Sequence, residues 1–219
     1  MQKSKIEWTD YVANPVKGIC QHQCPYCYAK RMYKRFKWNP EVRFDNSAFE
    51  GIEKLKAGSK IFIGSTHDIF GEWIPDEWIN SIILRAGQYP QLIFIFLTKN
   101  PKRYSNFMFH PNIWIGYSTT GPLYHEWDYK HKGNVKFISI EPMMGELVNT
   151  SYLHDTNWVI IGAESGNRKG KVKLDKRWVL NAMELLYEED IPFFIKNNAD
   201  GCKGIQEYPE DAHDTIASV

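Results

Sequence analysis

Three cysteines fall within eight residues of this chain: Cys20, Cys24 and Cys27, spaced C-x3-C-x2-C, with Tyr26 just before the last. Thiolates are soft ligands that select iron–sulfur clusters, zinc or copper(I). Iron–sulfur clusters are usually held by four cysteines. Three on one tight loop would leave one iron of a four-iron cluster open to another ligand. Two other readings stand beside this one. A zinc site wants a fourth Cys or His at close spacing, and His22, separated from Cys20 by one residue, is poorly placed to share a tetrahedron with it. The third reading is three plain core thiols.

A second set of candidates lies at the ends of apolar runs. Ser65, Thr66 and Asp68 follow the run 60–64, and Lys99 follows 92–97. Ser118 follows 112–117, Glu141 follows 135–140, Glu164 follows 158–161, and Lys196 follows 192–195. In parallel α/β barrels the chemistry sits at the C-terminal ends of the strands. Two lysines and two glutamates would then converge on one mouth. Strand ends also meet solvent and are polar for that reason alone, but charges abutting four of the later runs favour a site. The fourth cysteine, Cys202, sits in a glycine-flanked stretch, 198–204, suited to a loop over such a mouth; a fortuitous thiol is the alternative.

These residues need elements to hold them. The runs named above, with 15–19 before the cysteines, read as strands. Helical spacing appears over 28–38, where Ala29, Met32, Tyr33 and Phe36 fall at i, i+3, i+4 and i+7. Ser47 caps a short piece running to about residue 56, with Gly58 as its stop. Pro75 opens a helix with Trp78, Ile79, Ile82, Ile83 and Ala86 as its stripe. Further helical pieces follow Pro101, span 122–131, and start from an Asp175 cap with Trp178, Val179, Ala182, Leu185 and Leu186. Alternating strands and helices imply βαβ units and a parallel sheet. Such a series curls into a barrel or lies as a doubly wound sheet of flavodoxin type. One domain over 1–207 and a polar tail over 208–219 account for the chain.

With 219 residues, 43% hydrophobic and 15% aromatic, a substantial core is available. A net charge of +1 does not announce a nucleic-acid binder. No apolar run reaches the ~18 residues that cross a bilayer, and the first residues lack a signal-type segment. The expected compartment is the cytoplasm, where thiols stay reduced. Over 28–38, Lys30, Arg31, Lys34, Arg35 and Lys37 interleave with Tyr28, Tyr33, Phe36 and Trp38. That composition suits phosphate contact and base stacking, or the docking of an acidic electron donor. It equally suits a solvated amphipathic helix with its aromatics in the core.

The cysteine spacing with Tyr26 resembles the signature of the radical S-adenosylmethionine (SAM) superfamily. The segments IEWTD, NPVKGIC, CPYCYA, IGSTHDIF, FLTKNP, ISIEPMMG, WVIIGAESG and PFFIK together resemble a phage- and bacterium-associated family of small radical SAM-type proteins, distantly related to spore photoproduct lyase. The resemblance implies a partial (β/α)6, TIM-like barrel of parallel strands. It implies a [4Fe-4S] cluster on Cys20, Cys24 and Cys27, with SAM chelating the open iron. Reductive cleavage of SAM then gives a 5′-deoxyadenosyl radical that abstracts hydrogen. Tyr26 is counted with the cofactor-binding residues. Where the superfamily often carries a Gly-Gly-Glu-Pro-like segment for the SAM amino group, this chain has Gly64-Ser65-Thr66-His67-Asp68, leaving Ser65 and Thr66 for that task. Ser118 and Glu141 would face the ribose or the methionyl carboxylate. Lys99, Glu164 and Lys196 would meet the substrate, and Cys202 would return a hydrogen atom. Implied partners are an electron donor such as flavodoxin or ferredoxin, a nucleoside or nucleic acid by analogy with the repair enzyme, and a protein closing an open barrel. The competing reading is a metal-stapled nucleic-acid-binding module without catalysis.

Overall fold

The computed structural model describes residues 1–199 and 204–209. In chain order the strands and α-helices are β1 (Gln2–Lys3), β2 (Tyr11–Ala13), β3 (Val16–Lys17), α1 (Tyr28–Phe36), β4 (Arg43–Phe44), β5 (Lys60–Ile63), α2 (Asp76–Gly87), β6 (Ile93–Thr98), β7 (Ile113–Thr119), β8 (Lys136–Ile140), β9 (Trp158–Ile161), α3 (Lys176–Glu188) and β10 (Phe193–Ile195). Eight strands form one sheet in the order β1-β2-β5-β6-β7-β8-β9-β10. β1 pairs antiparallel with β2, and every other neighbour is parallel. β3 and β4 form a separate antiparallel ribbon.

From β2 onward the spatial order follows the chain order without reversal. A doubly wound sheet reverses direction at its switch point, so the flavodoxin-like alternative does not hold. The sheet is nevertheless open, with β1 and β10 as its edges.

The strands alternate their burial between two faces, as a period of two requires. One face carries Ile61, Ile63, Phe94, Phe96, Ile113 and Ile115, packed with α2 residues Ile79, Ile82 and Ile83. Further along, Ile138, Ile140, Val159, Ile161 and Phe193 pack with Val179, Ala182 and Leu186 of α3. The opposite face is almost wholly aromatic and aliphatic: Phe62, Ile95, Trp114, Phe137, Trp158, Ile160 and Phe194 form one cluster with Trp8. Trp8 reaches Phe62 of β5 at 4.9 Å and Trp158 of β9 at 6.4 Å between ring centroids. Side chains from both flanks of the sheet therefore meet across its inner face.

Three local expectations are corrected. The first parallel strand is β2, not 15–19. Pro15 has no N–H to give a ladder, so the sheet strand ends before it, and Val16–Lys17 pairs instead with Arg43–Phe44. Asp45, not Ser47, caps the turn Asn46–Phe49, accepting from the Ser47 amide. The 122–131 stretch is not an α-helix; only Tyr129–His131 forms a 3-10 turn. There Tyr124, His125 and Trp127 gather edge-on or tilted around Tyr117 of β7. Their packing on the sheet wins over local helix formation. At the other end of the chain, Tyr208 of the expected polar tail stacks on Trp158 at 5.4 Å.

No helix among the described residues is long and apolar enough to cross a membrane.

Candidate functional site

The cysteine loop joins the β3–β4 ribbon to α1 and is tied down at several points. Gly18 has φ +106, and a Cβ there would stand 2.4 Å from the Glu41 carbonyl oxygen, so only glycine fits. Its amide donates to the Tyr33 hydroxyl at 2.7 Å. Its carbonyl lies 3.0 Å from His67 Nδ1. The Trp73 indole donates to His67 Nε2 at 2.8 Å, which leaves Nδ1 as the protonated nitrogen. Cys27 then serves as the N-cap of α1, its Sγ accepting from the Lys30 amide at 3.5 Å.

His22, inside the loop, joins it to the sheet. Its Nε2 lies 2.8 Å from Asp68 Oδ2, just beyond β5. Asp68 also accepts from the Thr98 hydroxyl at 2.8 Å, the Phe70 amide at 3.0 Å and the Lys99 amide at 2.8 Å. Burial pushes the Asp68 carboxyl up, but His22, the Lys99 amide and the Thr98 hydroxyl outweigh it and hold it below its usual value. The ends of β5 and β6 and the cysteine loop are thus fastened at one buried anion.

A cavity of about 430 Å³ opens between this loop and the C-terminal ends of the strands. Cys20, Cys24, Tyr26, Cys27, Ser65, Thr66, Lys99, Ser118, Glu141, Glu164 and Lys196 all line it. Every candidate from the sequence but one is therefore collected around one space. The exception, Cys202, lies outside the described residues.

The charged candidates are not bare. Lys196 Nζ pairs with Glu141 Oε1 at 2.6 Å. The second carboxylate oxygen of Glu141 accepts from the Trp8 indole at 3.0 Å. A Cβ at Gly162 would come within 2.9 Å of both Glu141 Oε1 and Lys196 Cδ, so glycine makes room for the pair. Lys99 Nζ donates to Ser118 Oγ at 2.9 Å and stands 5.3 Å from the Tyr26 ring centroid. Glu164, expected to be turned toward a substrate, is held by a two-pronged contact from Arg168 at 2.6 and 2.8 Å. Arg168 keeps its carboxyl below the usual value. Ser65 and Thr66 donate their hydroxyls to Asn14 Oδ1, at 3.0 and 3.2 Å, as does the Thr66 amide at 3.1 Å. The Tyr28 hydroxyl bonds the Ser65 carbonyl.

Sequence reasoning missed Trp8, Asn14, Arg168 and the anchoring part of His22. Asn14 had one signal, its place before a proline. The others join the site through contacts distant in sequence or in an irregular loop.

The three cysteines are free thiols of intermediate exposure. Burial pushes the Cys20 thiol up, while backbone hydrogen bonds from Asp68 and His22 draw it partly down. Among the described residues, no three His, Cys, Asp or Glu side chains stand close enough to share one metal ion. A zinc ion about 2.3 Å from each sulfur would bring the sulfurs within roughly 4 Å of one another. The thiols as arranged do not fit a single closed ion site, and His22 commits one ring nitrogen to Asp68.

Fold and site together define an α/β protein with a mostly parallel sheet and a three-thiol cavity at the C-terminal ends of its strands. Its family is one described as Protein of unknown function (DUF5131), whose model matches residues 3–211, and the chain belongs to it. No curated protein and no solved structure matches the chain.

Proposed function

We propose that this chain is a radical SAM enzyme, with Cys20, Cys24 and Cys27 holding a [4Fe-4S] cluster and the adjoining cavity taking S-adenosylmethionine. The observation that carries the reading is the meeting of three unpaired thiols from one loop with the polar ends of parallel strands around one cavity. Together, cluster and SAM supply reductive cleavage of the sulfonium and a 5′-deoxyadenosyl radical that abstracts hydrogen from a substrate. A volume of about 430 Å³ lies among small-molecule sites, which run about 300–1,000 Å³.

The residues around the cavity supply the rest. The Lys99 ammonium offers a cation for a carboxylate, braced by Ser118. The Glu141–Lys196 pair presents a carboxylate and an ammonium together, so it receives a charged ligand without carrying much net charge itself. The Ser65 and Thr66 hydroxyl oxygens, whose hydrogens go to Asn14, keep lone pairs as acceptors at the end of β5. Trp8 and Phe62 give the cavity an apolar wall that excludes water from a reactive intermediate. The finer fold reading is the partial (β/α)6, TIM-like barrel. Its support is the one-way strand order and the inner aromatic face meeting around Trp8. The reading entails a reducing compartment, the cytoplasm, and an electron donor such as flavodoxin or ferredoxin.

Anaerobic reconstitution tests it. A brown protein with four iron and four sulfide per chain is expected, forming 5′-deoxyadenosine from SAM after dithionite. Cys27→Ala should bleach it while leaving the fold intact. A colourless zinc protein, or a cluster-loaded one that makes no 5′-deoxyadenosine, overturns the proposal.

A further inference from the structure

The sequence left α1 with three readings, and the structure separates its aromatics. Ala29 and Tyr33 are buried against the body. Phe36 falls on the same stripe by spacing, yet it is 52% exposed, and Trp38 is 42% exposed. These two rings stack on each other, with centroids 5.5 Å apart and planes 23° apart. The Arg35 guanidinium lies 5.3 Å from the Phe36 centroid, and Tyr33 meets Trp38 edge-on at 5.3 Å. An exposed ladder of guanidinium and two flat rings therefore stands at the C-terminal end of the helix. Lys34 and Lys37 stand within two residues of it in the chain, both exposed. No acidic residue occurs from 28 to 40. Among the described residues, no salt bridge engages Lys30, Arg31, Lys34, Arg35 or Lys37. At its other end the helix starts at Tyr28, which lines the cavity and is 43% exposed. Nine residues of helix span about 13 Å.

We propose that this face of α1 binds single-stranded nucleic acid, which runs from the Phe36–Trp38 ladder to the cavity mouth at Tyr28. The cations match the phosphates of a polyanion. The exposed rings match bases freed from a duplex, whose faces stack on aromatics with little regard to sequence. An acidic protein would answer the cations but leave the ladder without a counterpart, and a duplex hides its base faces. As the substrate class of the enzyme, a single strand rests on the reading above; as a binding surface, it does not.

The test is fluorescence anisotropy with labelled 12-nucleotide oligo-dT and oligo-U, against a duplex of the same length, from about 50 to 200 mM salt. Single strands are expected to bind, and more tightly than duplex. The F36A/W38A variant should weaken single-strand binding about tenfold, and W38F should restore most of what W38A loses. The K34A/R35A variant should flatten the slope of log affinity against log salt by about 1.4, at about 0.7 per lost charge. Matching thermal melts show that the variants fold. No binding at low salt, equal affinity for duplex, or binding indifferent to F36A/W38A overturns the proposal. So does a surface where only an acidic flavodoxin responds to K34A/R35A. Formation of 5′-deoxyadenosine is assayed separately. Binding kept without that product sinks the enzyme and spares the surface; product without binding does the reverse.

Discussion

Asp68 carries more of the structure than any other single polar side chain near the cavity. Its Oδ1 takes the Phe70 amide and the Thr98 hydroxyl, and its Oδ2 takes the Lys99 amide and His22. Asparagine has the same shape but only one acceptor oxygen. Whichever way its amide turns, an NH2 group faces a backbone N–H. Asp68→Asn is expected to cost about 2–3 kcal/mol, lowering the melting temperature by about 5–10 °C in a chain of this size. If the cluster reading holds, the same change should also reduce the iron retained after reconstitution, because His22 loses the anchor that fixes the cysteine loop. A variant that melts with the parent removes Asp68 from this role. The sequence put Asp68 at a strand end among the polar candidates, but its partners were not legible: His22 is 46 residues away and Thr98 is 30. His22 itself was weighed only as a metal ligand, since nothing local reveals a carboxylate brought to it by folding.

The elements divide into those that periodicity announces and those that tertiary packing decides. The apolar runs 92–97 and 135–140 were plain because they are unbroken and buried almost throughout, and the stripes of α2 and α3 because burial recurs along them at helical spacing. The connection after β7 was not, because its aromatics at 124, 125 and 127 fit a helical stripe as well as a loop wrapped on Tyr117. That loop carries its own consequence. Burial lowers the His125 pKa to about 4, with nearby Lys102 and His131 adding to the effect and Asp128 opposing it. The unfolded chain has an ordinary imidazole near 6.5. Between those values the unfolded state binds a proton that the folded state refuses, so stability falls as pH drops from 6.5 to 4. Outside that window the group contributes no slope. The ring is only partly buried, so about 1 kcal/mol is expected once solvent screening is allowed for. Chemical denaturation at stepped pH should show this slope in the parent and a reduced one in His125→Gln. Equal slopes would place the titration elsewhere.

Trp8 joins the packing on one face of the sheet to the charge pair at the cavity. It is 2% exposed, precedes β2, and touches Phe62, Phe137 and Trp158 on three different strands. Its indole N–H reaches the Glu141 carboxylate, whose other oxygen pairs with Lys196. One residue thus fills the inner face and steadies a charge pair from the ends of β8 and β10. A parallel sheet could be anticipated from the alternation of apolar runs and helices, though its strand order could not; nor could this plug, because IEWTD has no period and its contacts lie up to 150 residues away. The two tasks separate by substitution. Trp8→Ala removes both and should cost about 3–5 kcal/mol, shifting the urea midpoint strongly. Trp8→Phe keeps the larger part of the packing and loses the N–H with part of the indole, so about 2 kcal/mol is expected. If the enzymatic reading holds, Trp8→Phe should still assemble its cluster and bind SAM more weakly, since Glu141 is then held only by Lys196 and a longer contact from Ser139. A Trp8→Phe chain as unstable as Trp8→Ala would mean that the hydrogen bond, rather than the filled interior, holds the sheet's two flanks together.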